Sequence, residues 1–206
     1  MKLRQRIFPG LILATLLPIF AWAAAGCLPA PERDFLDADL LIDVSVMPDR
    51  WDVFELTDAS EDEEGQESGA AVGFYVVGSP YLVLGRERIY RYTSERRAAR
   101  HYERIEGGYF NDERASLTTP WTIPDGFTFA SISADQWRFG CAGSNFSPVP
   151  EMGTESTDCI YLAQYQEFLV FFTITTERDD EVMIDIDEIV HIVEAMDARM
   201  SEYLSR

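Results

Sequence analysis

The chain has 206 residues, 47% of them hydrophobic, with 36 acidic residues against 17 Lys and Arg. That composition suits one globular domain and excludes a disordered or collagen-like chain. From Cys27 onward 14 arginines face 36 acids, a net charge of −22 with no lysine; a surface this acidic repels phosphate backbones, so no nucleic acid is expected as a partner.

Residues 1–26 have the order of an export signal. The cations Lys2, Arg4 and Arg6 precede an apolar run from Ile7 to Ala23, and small residues Ala24-Ala25-Gly26 follow. The run is broken by Pro9, Gly10 and Pro18 and is shorter than the roughly 20 residues a spanning helix needs. Ala24-Ala25-Gly26-Cys27 resembles the lipobox of bacterial lipoproteins, departing from it at Ala24, where leucine is usual. The resemblance implies a diacylglyceryl group on Cys27 and a membrane partner through that lipid, at the cell membrane or outer membrane on its extracytoplasmic side. The alternative is a secreted protein cut after one of the alanines.

Three cysteines in an exported chain leave one odd thiol, and lipidation of Cys27 accounts for it. Cys141 and Cys159 would then meet an oxidising compartment, where a disulfide persists and its loop contributes about 3 kcal/mol. Residues 27–36, with Pro29, Pro31 and charges, read as the lipidated N-terminus and a short extended tether. Residues 37–206 read as a single extracytoplasmic domain.

Asp37 to Ile42 suits a helical turn, and Pro48-Asp49 a turn before Trp51. The acid-rich segment from Asp58 to Ser68 has too few apolar residues to order itself and reads as a mobile loop. Ala71 to Val77 and Tyr81 to Tyr92, separated by Gly78-Ser79-Pro80, form a hairpin. Thr93-Ser94 supplies an N-cap for a helix from Glu95 to Glu106, with Gly107-Gly108 as its stop. Seven of the 14 arginines, Arg86 to Arg104, fall within nineteen residues there. They suit either headgroup contact or pairing with the domain's own acids.

Beyond the turn at Pro124-Asp125-Gly126, Phe127 to Ile132 and Ala134 to Cys141 read as strands. Cys159 to Gln164 and Phe168 to Thr176 form a second hairpin around Tyr165-Gln166-Glu167. Phe168, Val170, Phe172 and Ile174 share a core face; Leu169 and Phe171 precede Thr173 and Thr175 on the other. Asp185 to Tyr203 is the clearest helix. Its stripe of Ile189, Val190, Ile192, Val193, Met196, Met200 and Tyr203 should pack on the core face of Phe168 to Ile174, with Asp185 and Glu188 as a capping box. The fold class is α+β: a single two-layer domain, mainly antiparallel sheet packed against a C-terminal helix, with a second helix after the first hairpin.

Catalytic signatures are weak. His101 and His191 are the two histidines, and Glu188-x-x-His191 is a fragment of a di-iron pattern without the partners that pattern requires. There is no nucleophile elbow and no phosphate loop. Carboxylate pairs are too numerous to inform. No cofactor or metal is expected, and the chain is read as a non-enzyme. The element order, with Tyr92-Thr93-Ser94, Ala98, Tyr102, Cys141, Cys159 and Tyr165, resembles the small exported domains of the PsbP-like and extracytoplasmic sensor-like lipoproteins. That resemblance implies a sensing, assembly or accessory role. The expected function is a lipid-anchored binding or accessory protein that presents aromatics such as Trp121, Trp137 and Tyr161 to a small ligand or envelope protein, the alternative for each aromatic being that it fills the core. The alternative is an exported hydrolytic or metal-dependent enzyme using His191 and nearby acids.

Overall fold

A computed structural model of the chain describes residues 29–59, 65–77, 83–145, 155–177 and 185–206. Six strands form one antiparallel sheet: β1 (Trp51–Asp58), β2 (Gln66–Val76), β3 (Val83–Tyr92), β4 (Gln136–Ser144), β5 (Ser156–Tyr165) and β6 (Phe168–Glu177). Two meanders, β1-β2-β3 and β4-β5-β6, meet along β3 and β6, giving the order β1-β2-β3-β6-β5-β4. Helix α1 (Glu95–Tyr109) connects the meanders and lies on one face of the sheet. Helix α2 (Ile186–Leu204) follows β6 and lies on the other.

The alternation along β6 decides which side each helix takes. Phe168, Val170, Phe172 and Ile174 enter the larger core with Ile189, Ile192, Val193, Met196 and Met200 of α2, as their spacing requires. Leu169 and Phe171 face the smaller core with Ala98, Tyr102 and Ile105 of α1. The α+β class and the packing of the terminal helix therefore follow the sequence pattern.

Four elements differ from sequence expectation. Strand β1 was not anticipated. Val53 pairs with Phe74 and Glu55 with Gly73, so Phe54 is the extra residue of a bulge, and the alternation that signals a strand slips by one. As an edge strand, β1 also leaves Phe54 52% and Leu56 67% exposed, so its pattern lacks a buried face. The core of the expected acidic loop, Glu61 to Glu64, lies outside the described residues, but β2 begins at Gln66, within the predicted loop.

Phe127 to Ile132 is not a strand. It is an irregular segment that lays Phe127 on Phe139, with ring centroids 3.9 Å apart, and Phe129 edge-on to Tyr161. A carboxylate supplies the partners a neighbouring strand would have given. Buried Asp197 of α2 accepts from the hydroxyls of Ser131, Ser133 and Tyr165 and from the Ile132 N–H.

Helix α1 continues through Gly107-Gly108 to Tyr109. The Phe110 N–H still donates to the Glu106 carbonyl. Tertiary contacts override the weak propensity, because Tyr109 packs on Phe171 and Phe110 on Trp121. A Cβ at Gly107 or Gly108 would meet nothing within 4 Å. Gly108→Ala should thus stabilise the domain by about 0.5–1 kcal/mol, read as a higher urea midpoint with an unchanged slope.

The N-terminal segment is extended, but it is fastened to the domain. The Ala30 N–H donates to the Thr93 carbonyl at 2.8 Å, and Arg91 donates to the Pro31 carbonyl at 2.8 Å. Arg33 makes a two-pronged ion pair with Glu167, and Phe35 packs on Phe168 and Tyr203. Cys27 and Leu28 lie outside the described residues.

Candidate functional site

Helix α1 is shorter than the strands beneath it. It begins near the β5–β6 hairpin, where the Gln164 side chain donates to the Glu95 carbonyl, and ends over Phe171. Beyond Tyr109 the same sheet face is uncovered and its character changes. In successive rows it presents Arg88 with Phe171, then Ile160 with Thr173, then Asp158 with Thr175. Each of these side chains follows from the alternation that buries its neighbours on the α2 side.

The opposite wall is the segment after α1, which is bound to the edge of β4. Leu117 bridges to Ser144, and Thr122 to Cys141. The Thr118 N–H donates to the Gly143 carbonyl at 2.8 Å, and the Gly143 N–H donates to the Thr119 hydroxyl at 2.6 Å. A Cβ at Gly143 would lie 2.6 Å from the Thr118 hydroxyl, so this close approach needs glycine. The wall carries Arg114, Ser116 and Trp121. Together wall and floor enclose a groove of about 390 Å³, within the size range of small-molecule sites.

Polar groups in the groove are arranged asymmetrically. At one end the two carboxylate oxygens of Asp158 accept from the Ser144 and Thr175 hydroxyls, each at 2.7 Å. At the other end the guanidinium groups of Arg88 and Arg114 sit 5.7 Å from the Phe171 ring centroid and 5.4 Å from that of Tyr109. Trp121 packs its ring on Phe110, and its buried indole N–H has no acceptor among the described residues.

Cys141 and Cys159 form a disulfide. They are directly opposite across β4 and β5, and Cys141 turns its own N–H and carbonyl away to Thr122. This makes the pair a non-hydrogen-bonded one, where side chains come closest, and the Cα atoms are 4.0 Å apart. The bond lies on the α2 side of the sheet and ties edge strand β4, which carries Ser144, to β5, which carries Asp158.

The three aromatics expected to face a ligand separate. Trp121 lines the groove. Tyr161 is fully buried on the opposite face, its hydroxyl within 2.9 Å of that of Tyr165, and burial pushes its phenol pKa up. Trp137 packs edge-on to Phe129 on that face. His191 is exposed on α2, and Glu188, its neighbour in the fragment, is paired instead with Arg50. No group of three metal-ligating side chains forms among the described residues. His101 is buried on α1 beside Tyr92, its Nδ1 2.6 Å from the Arg104 guanidinium.

On β3 the arginine-rich stretch divides between the two sheet faces, with Arg88 opposite Phe171 and Arg91 opposite Phe168. Arg86 lies by Glu55 and Arg91 by Glu67, while Arg88 enters the groove. The groove's floor was missed in the sequence because it needs β3, β4, β5 and β6 side by side. The available signal was the change from Leu169 and Phe171 to Thr173 and Thr175 along one face of β6.

No family model matches the sequence, and no curated protein matches it. Among solved structures the fold is similar to the extracellular domain of PknH from Mycobacterium tuberculosis. The TM-score is 0.54 at 9% identity, over 84% of this chain and 98% of that one. The likeness is one of fold. Among the described residues no helix is long and apolar enough to cross a membrane.

Proposed function

We propose that the protein is a lipid-anchored extracytoplasmic binding module that takes a small ligand in the groove beyond α1. The observation that carries this reading is the groove itself, in which charged, hydroxyl and aromatic side chains converge on the sheet face beyond α1. Export is supported by the leader-like segment, by the disulfide, which suits an oxidising compartment, and by the fold likeness to an extracellular domain. Binding is favoured over catalysis because, among the described residues, the groove is lined by no histidine or cysteine. His191 of the enzymatic alternative lies on the helix across the sheet.

With a diacylglyceryl group on Cys27, the fastened N-terminal segment sets the orientation. Three residues of chain reach at most about 11 Å from Cys27 to Ala30, and Ala30 is held at Thr93, beside the β5–β6 hairpin. That pole of the domain then sits against the bilayer. Thr175 lies seven residues along β6 from Phe168, about 23 Å further out. In that orientation the Asp158–Thr175 end of the groove lies further from the bilayer than the Arg88–Phe171 end.

Intact mass spectrometry of the detergent-extracted protein tests this reading. The expected denatured mass is a chain beginning at Cys27 with acyl groups added and two hydrogens missing for the disulfide. Native spraying should add the mass of a retained small molecule. A chain that keeps residues 1–26, or one without acyl mass, would refute the anchor.

A further inference from the structure

We infer that the groove's ligand is a small organic anion with a flat apolar part, its acid group held between Arg88 and Arg114. This rests on the groove being a binding site and adds the chemical class. Several arginines elsewhere in this acidic domain have carboxylate partners, such as Arg33 with Glu167, Arg50 with Glu188 and Arg138 with Glu106, while Arg100 and Arg199 donate to backbone carbonyls. Arg88 and Arg114 have no carboxylate within 4.0 Å among the described residues, although the chain from Cys27 carries a net charge of −22. What orients them is the faces of Phe171 and Tyr109, which position a guanidinium without neutralising it.

The nearest groove acid does not remove that charge. Asp158 lies four residues further along the β6 register, about 13 Å away, and its oxygens already accept from Ser144 and Thr175. Around the two cations are further donors and apolar surfaces: the Thr173 hydroxyl, the buried Trp121 indole N–H and the rings of Tyr109 and Trp121. Planar forks pair with carboxylate, sulfonate or phosphate oxygens, and ring faces take the apolar remainder.

Two isosteric probes distinguish charge from shape: naphthalene-2-sulfonate and neutral naphthalene-2-sulfonamide, titrated calorimetrically into the full detergent-solubilised protein. The sulfonate should bind about tenfold or more tighter. Arg88→Gln and the exposed Arg114→Gln should each bring it toward the sulfonamide's affinity, weakening the sulfonamide itself far less. Arg114 lies on an exposed loop, so its variant keeps the fold and the test stands even if Arg88→Gln is unstable. Equal binding of both probes, lost together in Trp121→Ala, would overturn the anion assignment and leave the groove as a binding site. Binding of neither probe, or sulfonate binding indifferent to both arginine variants, would overturn the assignment as well. Acylation at Cys27 is read separately by mass, so failure of the anchor is not confused with failure of the ligand class.

Discussion

Arg33→Ala should destabilise the domain by about 3–5 kcal/mol, the cost of leaving one partner of a buried ion pair without the other. The Glu167 side chain is fully buried and that of Arg33 only 12% exposed. The pair is two-pronged, with Nε to Oε1 at 2.7 Å and Nη2 to Oε2 at 2.9 Å, and Nη2 also donates to the Gln166 side chain at 2.6 Å. Glu167 sits in the β5–β6 turn, where Gln166 has a left-handed φ of 53° and the Glu167 carbonyl accepts from the Tyr92 N–H. An uncompensated carboxylate there would strain the turn and release residues 30–35 together. Urea unfolding with the disulfide intact measures the loss. The double variant Arg33→Met with Glu167→Leu should recover most of it, since apolar replacement of a buried pair is often neutral or better. A loss below about 1 kcal/mol for Arg33→Ala would place the pair in the class of surface bridges and undo its role in fastening residues 30–35 to the fold.

The ion pair also shows where sequence reasoning stops. Its partners are 134 residues apart, and nothing local to Arg33 identifies Glu167. Legible features had a period that one segment could express alone. The stripe of α2 and the alternation of β6 are of this kind, and both chose the correct faces. The pairing of Cys141 with Cys159 was legible for a different reason, because export and an odd cysteine count constrain it chemically. Features set by partners elsewhere were misread. Phe127 to Ile132 has strand composition, but its Ile132 N–H donates to Asp197 instead of to a neighbouring strand, and Gly107-Gly108 looks like a stop but is held helical by Tyr109 and Phe110. Asp185 does cap α2 through the Asp187 N–H, while the other half of the expected box, Glu188, turns to Arg50. The groove is the extreme case, since four strands and a wall segment must assemble before Arg88, Arg114 and Trp121 share a space.

Glu87 should contribute a fall in stability as pH rises from about 4.5 to about 8, and Glu87→Gln should remove that contribution. Glu87 lies mid-strand in β3, opposite Phe172 of β6, 1% exposed beneath the turn at Leu40 to Ile42. Its carboxyl accepts from the Ile42 N–H at 2.9 Å, satisfying a backbone donor buried against the sheet. Burial pushes its pKa from 4.5 up to about 8, against the opposing effects of that hydrogen bond and of the Arg199 guanidinium. Arg199 itself donates to the Asp39 carbonyl. Below pH 4.5 both folded and unfolded states hold the proton, and the stabilising contribution is fully present. Between 4.5 and 8 the unfolded chain ionises while the folded one does not, so stability drops about 1.4 kcal/mol per pH unit, levelling off above 8 after a total of about 5 kcal/mol. Glutamine keeps an acceptor for Ile42 and has no proton to lose. The variant should thus match the parent near pH 4 and exceed it by about 3 kcal/mol at pH 7, a gap that widens to pH 8. Urea unfolding of both proteins at pH 4.5, 7 and 9 resolves the gap and cancels the titrations they share. Parallel stability profiles would mean that Glu87 is ionised in the fold, and that Arg199 compensates the carboxylate rather than burial keeping it neutral.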